Sequence, residues 1–165
     1  MIARYLPERP FPPYAYLPGR DPHPVRDPRG HSHGVATETP PYLPAARWRE
    51  NEAYLFGVDL YNHGFLWEAH EAWEDVWHPS KPDETQAQFL QGLIQCSAAC
   101  LKIAMEQPAG LEKLAALGTG RLEEVARRAG AHFMGVALAH FVPAFRKFAA
   151  SAPPSADARP RIELS

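Results

Sequence analysis

The stretch WEAHEAWEDVW, Trp67–Trp77, sets four carboxylates and one histidine among three tryptophans. At about 100° per residue, Trp67, His70, Glu71, Glu74, Trp77 and His78 fall on one half of a helix, and Phe65, Ala69, Ala72, Trp73 and Val76 on the other. Both halves carry large apolar groups, so this helix is expected to be sandwiched between neighbours, with some of its acids drawn out of bulk water. Glu68 and Asp75 point more nearly sideways and are expected to stay solvated. A buried carboxylate without partners is expensive, so partners are expected too.

Working outward, helical patterns flank this stretch on both sides. Ala45–Asn62 carries Trp48, Leu55, Phe56, Val58 and Leu60 at helical spacing, and Asn62-His63-Gly64 reads as a cap and turn. Pro79 and Pro82 are expected to end the central helix, and Asp83 to cap the next, which runs to about Glu106 and stops at Pro108-Ala109-Gly110. Leu111–Ala129 and His132–Ala150 give two more helices, the former open to interruption at Gly118 and Gly120, the latter kinked near Pro143. No segment alternates at period two over a strand's length. The fold class is therefore all-α, a compact bundle of about five helices.

Eleven of the 18 prolines precede Arg47. Proline excludes regular helix over most of residues 1–46, yet Tyr5, Leu6, Phe11, Tyr14, Tyr16 and Leu17 are too many large apolar groups for a free linker. The segment is expected to be an extended arm packed on a helical domain of residues 47–150, with residues 151–165 as a flexible tail.

Composition narrows the function classes. At 165 residues, 45% hydrophobic and 22% charged, the chain suits one globular domain. A formal net charge of -2 offers no basic footprint for nucleic acid. No run approaches the roughly 20 apolar residues of a membrane span, and the N-terminus lacks the apolar core of a secretion signal, so the expected compartment is the cytoplasm. Cys96 and Cys100, four apart on one helix, are expected to be reduced, packed thiols. No phosphate-binding loop, dinucleotide fingerprint or nucleophile elbow occurs.

The histidine and glutamates carry three readings. His70 and Glu74, four apart, can offer two ligands to a divalent metal ion, with Glu71 as general base. The pattern is not the H-E-x-x-H of zinc proteases, because Glu74 stands where the second histidine would be. Further ligands would come from His31 and His33 in the arm, from His63 or from Gln95. Alternatively, Trp67, Trp73 and Trp77 as aromatic faces, with the charge of Glu71 or Glu74, could bind a small polar or cationic ligand without metal. In the third reading the cluster is a hydrogen-bonded network that fixes helix pairing in a protein that self-associates, with a homodimer as the simplest form. In each case Gln88, Gln91 and Gln95 form one stripe of the following helix, with Gly92 allowing close approach, and Gln91 or Gln95 is expected to reach the His70, Glu71 and Glu74 group, as the amides that back it.

The run from Gly57 to His78, followed by FLQGLIQCSAACLKI, resembles a small all-helical family, domain of unknown function 309. The shared pattern is an N-x-G turn, a helix W/Y-E-x-H-E-x-x-E-x-x-W and a helix Q-G-L-I-Q. It is met here by Asn62, Gly64, Trp67, Glu68, His70, Glu71, Glu74, Trp77 and Gln91–Gln95. The resemblance extends over roughly Arg47 to Leu122 and implies a compact helical fold without an assigned activity. Relatives place an arginine where this chain has Ala87, and a histidine where it has Leu101 and Lys102. The arm histidines are the candidates to replace the latter.

Overall fold

The computed structural model describes residues 2–165; of the expected arm, residue 1 lies outside the described residues. Five α-helices make up the body: α1 (Glu52–Asn62), α2 (Leu66–Ser80), α3 (Glu84–Ala104), α4 (Pro108–Ala129) and α5 (Leu138–Ala150). A two-stranded hairpin, β1 (His132–Phe133) and β2 (Val136–Ala137), joins α4 to α5. Successive helices α1 to α4 pack on one another and α5 packs on α4. Tyr54, Tyr61, Trp73, Phe89, Leu122 and Phe145 fill the centre. Among the described residues no helix is long and apolar enough to cross a membrane.

Capping chemistry sets several boundaries. The Asn51 side chain accepts from the Tyr54 N–H and starts α1, after a short 3-10 segment at Ala45–Glu50. Asp83 does the same for α3 through the Gln86 N–H. Pro79 is carried inside the last turn of α2, which runs on to Ser80. Pro108 begins α4 where the sequence alone points to a stop, since a proline at the first helical position loses an N–H that has no partner there anyway. His132, expected in the last helix, lies instead in β1. Met134 and Gly135, with φ of 44° and 80°, form the two-residue turn of that hairpin.

The helices also approach closely. A Cβ on Gly57 would meet the Trp73 indole at 2.3 Å, so Gly57 opens the slot in α1 that buries Trp73. Its Nε1 donates to the Tyr54 carbonyl at 3.3 Å. Gly118 does not interrupt α4. It lets α4 lie against α3, where an added Cβ would stand 2.9 Å from the Cys96 Sγ and 2.9 Å from the Gly92 carbonyl. Cys96 and Cys100 are buried free thiols, and burial pushes Cys96 well up and Cys100 up to about 12.

The arm lies on the body through backbone hydrogen bonds. Tyr5 and Leu6 donate their N–H groups to the two oxygens of fully buried Asp59, at 2.8 and 2.9 Å. Phe11 stacks on Phe65, with ring centroids 4.8 Å apart.

The expectation of a frayed tail fails. Arg159 is buried and donates to the Tyr61 and Asn62 carbonyls at the end of α1, supplying that helix with the cationic cap its own sequence lacks. Ile162, also buried, exchanges two hydrogen bonds with the Asn62 amide at 2.8 and 2.9 Å. The Leu164 N–H donates to the Tyr5 hydroxyl, so tail and arm touch.

Two neighbouring glycines of α4 should respond oppositely to alanine. Gly120 has open space around its Cβ position, so Gly120→Ala is expected to raise unfolding stability by up to about 1 kcal/mol through helix propensity. Gly118→Ala meets backbone atoms of α3 and is expected to lose about 1–2 kcal/mol despite the same gain. Urea titration of both variants checks the difference in sign.

Candidate functional site

Helix α2 buries Leu66, Ala69, Trp73, Val76 and Ser80, a stripe at spacings of three and four residues. The opposite face is shared unequally between the arm and solvent. Near the N-terminal end Glu68 is covered completely. Its Oε1 accepts from the Tyr16 N–H at 2.8 Å and faces the His31 Nε2 at 2.9 Å, with both side chains about 5% exposed. Because a carboxylate only accepts, the His31 Nε2 carries a proton. Its Nδ1 lies 2.9 Å from the Ser32 hydroxyl. The expectation that Glu68 stays solvated is therefore wrong. The arm supplies the donors, and an arm residue 37 positions away is not visible in helical periodicity.

One turn further along, His70, Glu71 and Glu74 come together. Their ligand atoms lie within 4.8 Å of one another. The His70 Nε2 is 3.5 Å from Glu71 Oε1 and 3.4 Å from Glu74 Oε1, and the three side chains are 21%, 42% and 39% exposed. These separations exceed those of ordinary hydrogen bonds, so the groups converge without satisfying one another. The His70 Nδ1 is buried and has no hydrogen-bond partner. The imidazole is instead held edge-on to Trp67 at 6.2 Å, and Trp67 is in turn packed by Tyr16 at 5.2 Å and His23 at 5.7 Å. Burial raises the Glu71 carboxyl above its ordinary value, and the charges of Glu74, Asp75 and Glu68 push it further while His70 opposes them. Asp75 is raised as well, first by burial and then by Glu74.

The other expected site residues are placed elsewhere. His31 has both ring nitrogens engaged, with Glu68 and Ser32. The His33 Nδ1 pairs with the Val25 carbonyl at 2.8 Å inside the arm. Neither joins the cluster. Gln95 does not reach it either: its Oε1 accepts from Arg121 Nε at 3.0 Å, and the same guanidinium holds the Gln88 Oε1 at 2.6 Å. Arg121 of α4 needs oxygen acceptors more than the glutamates need amide donors, and the neighbouring amides supply them. Gln91 lines a groove with Trp77, next to the cluster's end of the helix rather than within it. Sequence reasoning missed Glu68 with His31, and Arg121. Only the arm's density of aromatic and histidine residues signalled the first pair.

The geometry predicts a stability change at Glu71. A carboxyl whose folded pKa lies above its unfolded value binds its proton more tightly in the folded state. Stability therefore falls as pH rises from about 4.5 through the raised value, and stays lowered at neutral pH. In chelator-treated protein, Glu71→Gln is expected to raise the Tm at pH 7, with the gain shrinking toward about pH 4. A Tm at pH 7 below that of the wild type would contradict the unfavourable charge at this position.

Residues 54–114, from α1 to the first turns of α4, match the family model described as Domain of unknown function (DUF309). The matched segment holds His70, Glu71, Glu74, Trp67, Trp77, Gln91 and Gln95 and leaves out the arm and Arg121. No curated protein and no solved structure matches the chain.

Proposed function

We propose that this protein binds one divalent metal ion through the His70 Nε2 and the carboxylates of Glu71 and Glu74, at a site suited to hydrolytic chemistry. The observation that carries the reading is a convergence without mutual hydrogen bonds. One imidazole nitrogen and two carboxylates lie within 4.8 Å, close enough to share an ion and too far apart to satisfy each other. The raised Glu71 carboxyl supports it, since a cation would relieve the repulsion that Glu74, Asp75 and Glu68 impose. One nitrogen and two oxygens form a donor set for zinc, manganese, iron or cobalt, whereas calcium and magnesium take mainly oxygen.

Three protein donors on a half-exposed face leave coordination positions for water or substrate, as catalytic sites do and closed structural sites do not. His31 and His33 are not part of the proposed set, because their nitrogens serve the arm.

Protein freed of metal by chelation is expected to take up about one equivalent of Mn2+, Co2+ or Zn2+ and to gain about 2.7 kcal/mol of stability at a hundredfold excess over the Kd. His70→Ala and Glu74→Gln should abolish uptake while keeping the helical spectrum, and His31→Ala should keep it. Absence of a thermal shift with all three ions, or uptake unchanged in His70→Ala, would sink the reading.

A further inference from the structure

Helix α2 does not end at the cluster. His70, Glu74, Trp77 and Lys81 stand at i, i+4, i+7 and i+11, which is one stripe of a helix, and Lys81 keeps helical geometry at its end. Past Trp77 this stripe enters a groove of about 350 Å³ between α2, α3 and α4, lined by Trp77, Lys81, Gln88, Gln91, Arg128 and Glu84. At the rise of a helix, Trp77 is about 4.5 Å and Lys81 about 10 Å along the axis from Glu74.

The groove is rich in hydrogen-bond donors. Arg121, behind it, binds the Gln88 Oε1 and so leaves the Gln88 amide nitrogen as the free end. Arg121 makes its contacts to neutral amide oxygens, and among the described residues it has no carboxylate partner. Lys81 has none either; its Nζ lies over the Trp77 ring at 4.5 Å. Arg128 is paired with Glu124 at 2.7 Å and only loosely with Glu84, at 3.8 Å, whose side chain is 86% exposed. An uncompensated lysine, an arginine at the rim and two amides around an aromatic ring are a chemistry for an oxyanion.

We propose that this groove takes the phosphate or carboxylate group of a small molecule whose other end reaches His70, Glu71 and Glu74. The anion site stands on its own lining, and the ligand's reach to an ion rests on the metal reading above. The ligand would lie along α2 across Trp77, with its charged end about 10 Å from the proposed ion.

The test uses the full chain, chelator-treated or loaded with Mn2+, titrated with inorganic phosphate and, separately, with acetate. Wild type is expected to bind at least one of the two saturably without metal. Lys81→Met and Arg128→Gln, both exposed positions, should each weaken that binding about tenfold at unchanged Tm. Glu84→Gln, which removes the rim carboxylate, should tighten it, a direction that a damaged fold would not give. In phosphate-bound protein, Mn2+ should broaden the phosphorus resonance in wild type and not in His70→Ala. Absence of saturable binding of either anion, or equal affinity in Lys81→Met, Arg128→Gln and wild type, would overturn the anion site. Anion binding that persists in protein unable to take up Mn2+ would overturn the metal reading alone, and Mn2+ uptake without broadening would overturn the link between the two.

Discussion

Two buried carboxylates, Asp59 on α1 and Glu68 on α2, tie the proline-rich arm to the helical body. A buried carboxylate without partners costs several kcal/mol, and neither residue finds its main donors within its own helix. Both find them on the arm's backbone, at Tyr5 and Leu6 for Asp59 and at Tyr16 for Glu68. Prolines remove donors from the arm and hold it extended, so the few N–H groups that remain reach carboxylates more than 50 residues away. The arm is therefore part of the fold's electrostatics. Without it two acids would be stranded in the core, and Trp67 would lose the Tyr16 and His23 rings packed on it.

This arrangement divides the acids of α2 between two tasks. Glu68 faces the arm, whose Tyr16 N–H and His31 ring meet its Oε1. Glu71 and Glu74 lie in a half-covered strip where burial and mutual repulsion raise the Glu71 carboxyl and His70 offsets them only in part. The structure thus tolerates an unfavourable concentration of charge beside His70 while pairing one oxygen of the adjacent Glu68. Such an unresolved cluster, on a rigid helix whose other face is anchored by Trp73, is held in place by the core and not by its own contacts.

What could be read from the sequence follows the range of the interactions. Helix α2, the Asp83 cap of α3 and the meeting of His70, Glu71 and Glu74 follow from spacings of one to four residues, which a helix converts directly into neighbours. Partner choice over longer distances was not legible. The stripe Gln88, Gln91, Gln95 was visible, but nothing local showed that Arg121, 26 residues beyond Gln95, would claim two of those amides. The tail reads as disordered because its prolines and alanines carry no periodicity. Its order comes from Arg159 and Ile162 meeting backbone and amide groups of α1 nearly 100 residues earlier. Pro108 misleads for a different reason, since the same residue can follow a helix or begin one.

The separation of the cluster from the core also bears on how an ion would act here. In small zinc domains the ligands are the core, and metal binding is folding. Here Trp73, Val76 and Leu66 bury the far side of α2 whether or not His70 and the glutamates are occupied. The fold then does not require the ion, and binding would add to its stability only by mass action. The donors are already gathered, so little conformational entropy opposes binding, while the open strip toward Trp77 leaves room for a second ligand to share the ion's remaining positions. A helix anchored on one face and left electrostatically unresolved on the other would support a reversible site, and the arm, which covers Glu68 and packs on Trp67, would leave that site open toward Trp77.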